Sequence, residues 1–397
     1  MSFKKILILD TGKEWGGGTN SLLELLKRAD RKRFGFTALF CNNYKMGAGS
    51  DISTELDKIG IGFVQLGRGR RSAYLKGMKE VVRSVLFFSG ALKKKYIFSI
   101  EYINRILPDS KRIAAVLKEG GYDLLYMNNQ PSSNLEGILA AKSLGVPCIQ
   151  HSRIDVALNP FEADAVNNWV NRVICVSNGV KDSLVGSGVS PDKCRVVYNG
   201  IDTGARPRSG SAGLREDLGI RKGSVILGTV GSLIKRKRVS LLLKAVSELK
   251  ESKLACVIVG EGPEMDSLRE EARRLGIRDR VVFTGFSTDA LSYINFMDIF
   301  VFPSEKEGMP RVILEAMLMG KPVIAFDVAG ARELIIEGRT GFLLKEGSHL
   351  APAIKSLLQD RALMVKMGEA GRKRVIEGFG IDNYVKGVEE VFGEVLA

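Results

Sequence analysis

The sequence predicts an α/β protein built of two doubly wound domains facing each other across a cleft, and three observations carry that expectation. A chain of 397 residues is too long for one hydrophobic core and suits two. Short apolar runs alternate with helical patterns along its whole length, as parallel sheets require. The alternation lapses over Asn199-Gly200-Ile201-Asp202 and Arg206-Pro207-Arg208-Ser209-Gly210-Ser211, a stretch of turn formers without apolar periodicity, and restarts at Ser224. The boundary between the two domains is therefore expected near residue 200.

The strand candidates of the first half are 5–10, 35–41, 61–66, 123–127, 146–151, 172–177 and 194–198. Those of the second half are 224–231, 254–260, 280–284, 298–302, 322–326 and 341–344. Each is a short apolar run, and ligands of such sheets sit where strands end, so the loops after strands are where chemistry is sought. Segment 74–95 carries Tyr74, Met78, Val81, Val85, Phe88 and Leu92 at steps of four and three, which predicts one apolar helical stripe. Lys76, Lys79 and Arg83 fall opposite it, and Lys93-Lys94-Lys95 follow. Such a helix lies in a membrane interface, or packs its stripe on the sheet; the two are compatible, since the basic flank is free either way.

Composition narrows the class. An apolar content of 45% excludes a disordered chain. No run of about 18 uncharged apolar residues occurs, so no spanning helix is expected. The start, Met1-Ser2-Phe3-Lys4-Lys5, runs straight into Ile6-Leu7-Ile8-Leu9 and lacks the features of a signal peptide. Five cysteines without a C-x-x-C pair suggest buried thiols in a reducing cytosol. The net charge of +14 is concentrated: residues 68–118 hold 13 basic and 3 acidic side chains. A field so localised points to a phosphate-rich partner, unless it is simply a solvated basic surface.

The most informative stretch is DIFVFPSEKEGMPRVILEAMLMGKPVIAFDVAGARELIIEGRTGFLL, residues 298–344. A buried strand ends at Pro303-Ser304, and a loop follows with Glu307-Gly308. Pro310 then opens a helix at the position that favours proline, and the helix contains Glu315 and stops near Gly320. Free N–H groups at its start suit anions or hydroxyl oxygens. Glu307 precedes the helix and Glu315 lies about a turn and a half inside it, so the pair can address different parts of one extended ligand.

This segment resembles the signature of the group 1 (family 4) retaining glycosyltransferases, which have the GT-B fold of two Rossmann-like domains and use nucleotide-sugar donors. The resemblance extends to GGGTN at 16–20, QHSRID at 150–155, VICVSNGVKDSL at 173–184, VVYNGID at 196–202, GTVGSLIKRKR at 228–238, VIVGEGPEMDSL at 257–268 and VVFTGF at 281–286. It is tightest over about 172–345 and weakest over about 44–120, the acceptor side. It implies an acceptor domain over 1–200, a donor domain over 201–380, and a last helix, about 381–397, that packs back on the first domain.

The resemblance also assigns roles. Glu307 contacts the donor sugar, and Glu315 binds the ribose hydroxyls, a sound match for a carboxylate that accepts two hydrogen bonds. Gly308 lets the backbone approach the sugar, and Met309 follows in the same loop. Lys237 matches the lysine that grips the donor diphosphate; the arginine expected after Gly231 is Ser232 here, so Arg236 or Lys235 compensates. His151 lies against the donor sugar and orients it, without being a general base. Arg153 meets an acidic acceptor or forms a structural ion pair. Gly17 and Gly18 line the cleft in a turn with exposed N–H groups, although the spacing fails as a dinucleotide fingerprint. Phe286 sits where the nucleotide base packs, or is a core aromatic. GEGP at 260–263 is a turn too weak to support a cofactor.

The expected reaction is transfer of a hexose-type sugar, with retention, from a nucleotide diphosphate donor to a hydroxyl of a glycan or glycolipid acceptor. No cofactor and no metal is expected, because an Asp-x-Asp cluster is absent and cations are already present. A nucleotide-sugar epimerase or a glycosyl phosphorylase would keep the fold and change the chemistry. A non-catalytic basic protein that binds nucleic acid or membrane would use the charge but leave the constellation at 231–237 and 307–315 without purpose. The partners expected are a donor, a lipid-linked cell-surface saccharide and an anionic membrane, not nucleic acid. The protein is expected in the cytoplasm, peripheral at the inner face of the membrane.

Overall fold

A computed structural model describes residues 3–12, 15–45, 47, 49–67, 73–85, 89–208, 211–249, 251 and 253–397. The first sheet contains β1 (Lys4–Asp10), β2 (Phe34–Phe40), β3 (Gly62–Gln65), β4 (Leu124–Asn128), β5 (Cys148–Ser152), β6 (Arg172–Cys175) and β7 (Cys194–Val196), in the spatial order β3-β2-β1-β4-β5-β6-β7. The second contains β8 (Val225–Val230), β9 (Leu254–Val259), β10 (Val281–Gly285), β11 (Ile299–Phe302), β12 (Val323–Phe326) and β13 (Gly341–Leu344), in the order β10-β9-β8-β11-β12-β13. Neighbouring strands from β3 across to β6 in the first sheet, and throughout the second, run parallel. Each strand candidate forms a strand, and helices flank both sheets.

Parallel strands are covered on both faces, which is why they read as continuous apolar runs: Ile6, Leu7, Ile8 and Leu9 are all fully buried. In the second sheet Leu227, Ile258, Ile299 and Val301 share a core with Leu242 and Leu243 of the helix Val239–Glu248. Strand order reverses between β1 and β4, and again between β8 and β11. At such reversals the adjacent crossovers leave to opposite faces and open a crevice at the carboxyl ends of the strands.

The chain forms two compact units. One comprises Met1–Cys175, Ser183–Arg195 and Val388–Ala397; the other comprises Val176–Asp182 and Val196–Gly387. The last helix, Ile381–Leu396, therefore contributes its second half to the first unit. There Phe392 packs edge-on against Phe34 and Tyr126, at ring-centroid distances of 5.6 and 5.3 Å, and Glu389 accepts the Asp30 N–H at 2.6 Å.

The single helix expected over 74–95 is two. One spans Ala73–Val85 and the next Gly90–Glu101, with Ser89 accepting the Leu92 N–H to cap the second. Ser89-Gly90 ends the run because serine is a better cap than interior residue and glycine is a poor helix former. Nor are three of its described members covered: Val81, Val85 and Leu92 are 62%, 61% and 43% exposed. Periodicity reports that a face is apolar, not what covers it. Phe88 lies outside the described residues, as do the side chains of Tyr74, Lys76, Lys79 and Lys94.

Candidate functional site

In the second unit the crevice opens where β8 and β11 end. Its walls include Gly231, Ser232, Lys237, Phe302 and Pro303. After β8 the chain turns through Gly231, whose φ of +152° suits glycine, and makes a 3₁₀ turn at Lys235–Lys237. Three donors then converge on one carboxylate oxygen. Glu307 Oε1 accepts from Lys237 Nζ at 2.7 Å, from Arg236 Nη1 at 2.7 Å and from Ser304 Oγ at 2.6 Å. Lys237 also lies 4.8 Å from the Phe302 ring centroid, a cation–π placement that fixes the ammonium at the crevice. Two cations on one carboxylate leave a net positive site, which suits a diphosphate.

The helix after the loop is Arg311–Leu318, with Pro310 as its cap, one position earlier than expected. It closes as the sequence indicates. Gly320 takes φ +68° and donates to Met317 O, while the Lys321 N–H reaches Ala316 O, which together form a Schellman stop. Glu315 stands one turn after Arg311, with 3.9 Å between Arg311 Nη2 and Glu315 Oε1. Burial pushes the Glu315 carboxyl above its usual range, and Arg311 pulls it partway back. Glu307 and Glu315 thus keep separate cationic partners. Phe286, directly after β10, is 39% exposed, as an available stacking surface must be.

Several supporting residues escaped the sequence reading. Ser177 Oγ donates to Gly308 O at 2.8 Å, and Asn199 Nδ2 donates to Met309 O at 3.0 Å, so both carbonyls of the buried Gly308-Met309 loop are tied from behind. Gly330 leaves no room for a side chain, since a Cβ there would come within 2.2 Å of Gly308 O. The GEGP turn buttresses the opposite wall: a Cβ on Gly260 would meet Gly231 O at 2.0 Å, and one on Gly262 would meet Leu233 O at 2.4 Å. The visible signal was glycine after a strand; which loop those glycines touch is a tertiary fact.

In the first unit the reversal between β1 and β4 gathers a buried polar cluster. Asp10, at the end of β1, accepts from Asn128 Nδ2 at 2.7 Å, from the Gly12 N–H at 2.7 Å and from Asn129 Nδ2 at 3.1 Å. Burial raises its pKa, and these hydrogen bonds and Arg153 oppose the rise. Asn129 holds φ +123°, a strained value for any residue other than glycine. Arg153 Nε donates to Asn128 Oδ1 at 2.8 Å. Its aliphatic stem lies beside Gly18, where an added Cβ would come within 3.7 Å of Cγ, so Gly18 and Arg153 are neighbours, and Gly17 opens the helix Gly17–Arg28. His151 ends up fully buried, with Nδ1 at 2.5 Å from the Tyr126 hydroxyl. Burial, and after it the Arg153 charge, holds its pKa well below the usual histidine range, so the ring is neutral. Asp10, Tyr126 and Asn128 carried no motif; strand ends distant in sequence bring them together.

Comparison with known proteins covers both units. The profile of Glycosyltransferase Family 4 matches residues 15–205, and that of Glycosyl transferases group 1 matches residues 212–374. The chain is 32% identical over 337 residues to the N-acetyl-alpha-D-glucosaminyl L-malate synthase of Bacillus anthracis, covering 80% of this chain and 86% of that protein. It is 27% identical over 315 residues to the UDP-Gal:alpha-D-GlcNAc-diphosphoundecaprenol alpha-1,3-galactosyltransferase of Escherichia coli, covering 73% of this chain and 81% of that one. Among solved structures, Anabaena HepE in complex with UDP-glucose superposes with a TM-score of 0.78 at 23% identity, over 98% of this chain and all of that one. The last likeness shows the fold.

Proposed function

Since the chain belongs to the group 1, family 4 glycosyltransferases and has their GT-B fold, we propose that it transfers a sugar from a nucleotide diphosphate sugar to a hydroxyl of a lipid-linked glycan, with retention at the anomeric carbon. The observation that carries this reading is the convergence of Lys237 and Arg236 at the strand-order reversal of the second sheet, with Glu307 between them and Glu315 on the following helix.

In this reading the donor diphosphate lies against Lys237 and Arg236, and Arg236 takes over the charge that the family's arginine at Ser232 would supply. Ser232 then offers only a small wall. Glu315, whose carboxyl is pushed above its usual range by burial, receives the ribose hydroxyls. Glu307 is held by the same cations that the diphosphate needs, so donor binding shifts those cations toward phosphate and frees Glu307 Oε1 for the sugar hydroxyls. Gly308 and Met309 set the backbone against the sugar, and Phe286 stacks on the base. Departure of the diphosphate and attack of the acceptor hydroxyl occur on one face, with the diphosphate taking the hydroxyl proton. The protein contributes position and charge stabilisation of the leaving group. The cations at 235–237 carry that charge, and the reaction is read as independent of a metal.

Both sequence relatives are named for α-linked sugars, which supports retention, and one is named for a diphosphoundecaprenol-linked acceptor, which supports the lipid. The first unit supports a membrane face. Val81, Val85, Leu92, Tyr96 and Ile103 are exposed large apolar side chains, in the segment that also carries Arg83, Lys93 and Lys95. Among the described residues no helix is long and apolar enough to cross a membrane, so we read the association as peripheral, at a cytoplasmic face. The test is turnover of UDP-, GDP- and ADP-sugars on undecaprenyl-linked acceptors in the presence of chelator, with the product anomer read by NMR. An α-product from an α-donor is expected; a β-product ends the retaining reading, and silence after chelation ends the metal-independent one.

A further inference from the structure

Ser177 and Asn199, the two side chains that tie the carbonyls of Gly308 and Met309, share a support. Each adjoins in sequence a residue that bonds to the carboxylate of Glu333. Glu333 Oε2 accepts from the Asn178 backbone N–H at 2.9 Å and from Asn178 Nδ2 at 2.8 Å, and Oε1 accepts from the Gly179 N–H at 3.0 Å. Asn178 Nδ2 also donates to the Tyr198 hydroxyl at 2.8 Å, and that hydroxyl donates to Glu333. Burial, and after it the bond to Glu333, push the Tyr198 phenol up to about 12. Ser177 precedes Asn178 and Asn199 follows Tyr198, so one carboxylate stands a single peptide away from both ties. All of these residues belong to the second unit.

The local geometry has a plain cause. The opening N–H groups of a helix lack partners within it, and a carboxylate is a strong acceptor for them. The helix Asn178–Gly186 is met twice: Ser177 Oγ accepts from the Val180 N–H at 3.2 Å, and Glu333 takes the N–H groups of Asn178 and Gly179. A carbonyl only accepts, so Ser177 Oγ directs its one proton at Gly308 O, at 2.8 Å. Glu333 is fixed in its turn. Arg374 donates from Nη2 to Glu333 O at 2.7 Å and from Nε to Leu334 O at 2.8 Å, closing the short helix Ala329–Leu334. The fit is close, since a Cβ on Gly179 would meet Ala329 Cα at 2.8 Å.

We propose that Glu333 is a positioning residue for the donor sugar: its carboxylate sets Ser177 and Asn199, and through them the Gly308-Met309 backbone against which the sugar lies. The inference rests on the glycosyltransferase reading for what the loop touches; the ties themselves are geometry of the second unit. It divides the donor in two. Lys237, Arg236 and Glu315 hold the nucleoside diphosphate, and Glu333 governs only what the sugar adds to binding and turnover.

Glu333→Gln keeps the shape and replaces one acceptor oxygen with a donor among N–H groups. Two measurements on the full chain test the role. Hydrogen exchange read by mass spectrometry needs no ligand: peptides covering 176–182 and 305–312 should exchange about tenfold faster or more, with those of β8, β9 and β11 unchanged. Wild-type exchange over 305–312 in the folded variant, or an equal rise throughout the sheet, overturns the proposal. Calorimetry then compares the bare nucleoside diphosphate with the nucleotide sugar, taking from the UDP-, GDP- and ADP-sugars the pair that the wild type uses. The nucleotide sugar should bind about tenfold more weakly or worse while the bare diphosphate keeps its affinity. Equal loss of both, or loss of neither, removes Glu333 from the role. Adding Ser177→Ala to Glu333→Gln should cost less than the product of the two single effects; full additivity would mean that Ser177 acts without Glu333. Should Glu333→Gln not fold, Tyr198→Phe, which takes only the phenol from the carboxylate, is read in the same way. A several-fold loss confined to the nucleotide sugar is expected, and no change in that folded variant overturns the proposal. Failure of the transferase reading would instead show as no diphosphate bound, with the exchange result intact.

Discussion

Glu307 is paired with Lys237 and Arg236, the two cations that the proposed function gives to an incoming diphosphate. Replacing it with glutamine removes a competing negative charge without changing shape. UDP or another cognate diphosphate should then bind as well as or better than to wild type, while turnover falls by on the order of 100-fold or more, since the carboxylate's sugar contact is lost. Calorimetry and steady-state rates separate the two effects; a parallel loss of both would mean that Glu307 serves the diphosphate. A second residue-scale prediction follows from His151. Its folded pKa lies below the unfolded value of about 6.5, so the unfolded chain takes up a proton that the folded chain refuses, and stability is lost as pH falls below roughly 6.5, at about 1.4 kcal/mol per pH unit. Asp10 and Glu136 are shifted upward by burial, so their contribution has the opposite sign and is lost as pH rises through their raised values. Urea unfolding of the first unit at pH 7.5 and 5.5 should show a drop in wild type that His151→Gln lacks. Equal drops in both proteins would place the proton uptake elsewhere. At this scale Glu307, Glu315 and Lys237 could be singled out from the sequence because they lie within short motifs. Asp10, Tyr126 and Asn128 were not, because their meaning arises only when β1, β4 and β5 stand side by side.

Among the elements, the buried loop at Gly308-Met309 is held by parts remote in sequence: Ser177, Asn199 and the helix that begins near Gly330. Gly330→Ala would drive a methyl into Gly308 O and Met309 Cα, at 2.2 and 2.5 Å. Overpacking of this kind costs about 1–3 kcal/mol, and the loop is the movable partner. The KM for the nucleotide sugar should rise about tenfold or more with the affinity for the bare nucleotide diphosphate little changed; equal loss of both would show that the helix supports the whole site and not the sugar loop. The helices Ala73–Val85 and Gly90–Glu101 give the contrasting case. Val81→Ser with Val85→Ser should leave thermal stability within about 0.5 kcal/mol, because both side chains are already exposed. Sedimentation with anionic vesicles should fall several-fold, whereas unchanged binding would detach this face from the membrane. Here the sequence disclosed apolar periodicity and basic flanks, but the break at Ser89 and the exposure of the stripe depended on capping and on the absence of a covering element among the described residues. Strands were easier to read, because burial on both faces of a parallel sheet writes itself as a continuous apolar run.

For the whole molecule, the two α/β units were legible from length, from alternation and from the turn-rich segment near residue 200. The details of which segments join which unit were not, since Val176–Asp182 and Val388–Ala397 each pack with the sheet that is not their neighbour in sequence. Charge is divided unevenly along the chain. The second unit concentrates a few cations at one crevice, while residues 68–118 hold 13 of the chain's 59 basic residues against 3 acidic ones. The claim on which everything else depends is that the second unit binds a nucleoside diphosphate through Lys237 and Glu315. It is tested most directly by calorimetry of UDP, GDP and ADP on the wild-type chain and on Lys237→Ala and Glu315→Ala, with circular dichroism confirming that the variants fold. The account predicts that at least one of the three diphosphates binds the wild type and that each variant loses about tenfold or more, the worth of a charged hydrogen bond. It is contradicted if no diphosphate binds the wild type, or if the folded variants bind it equally well.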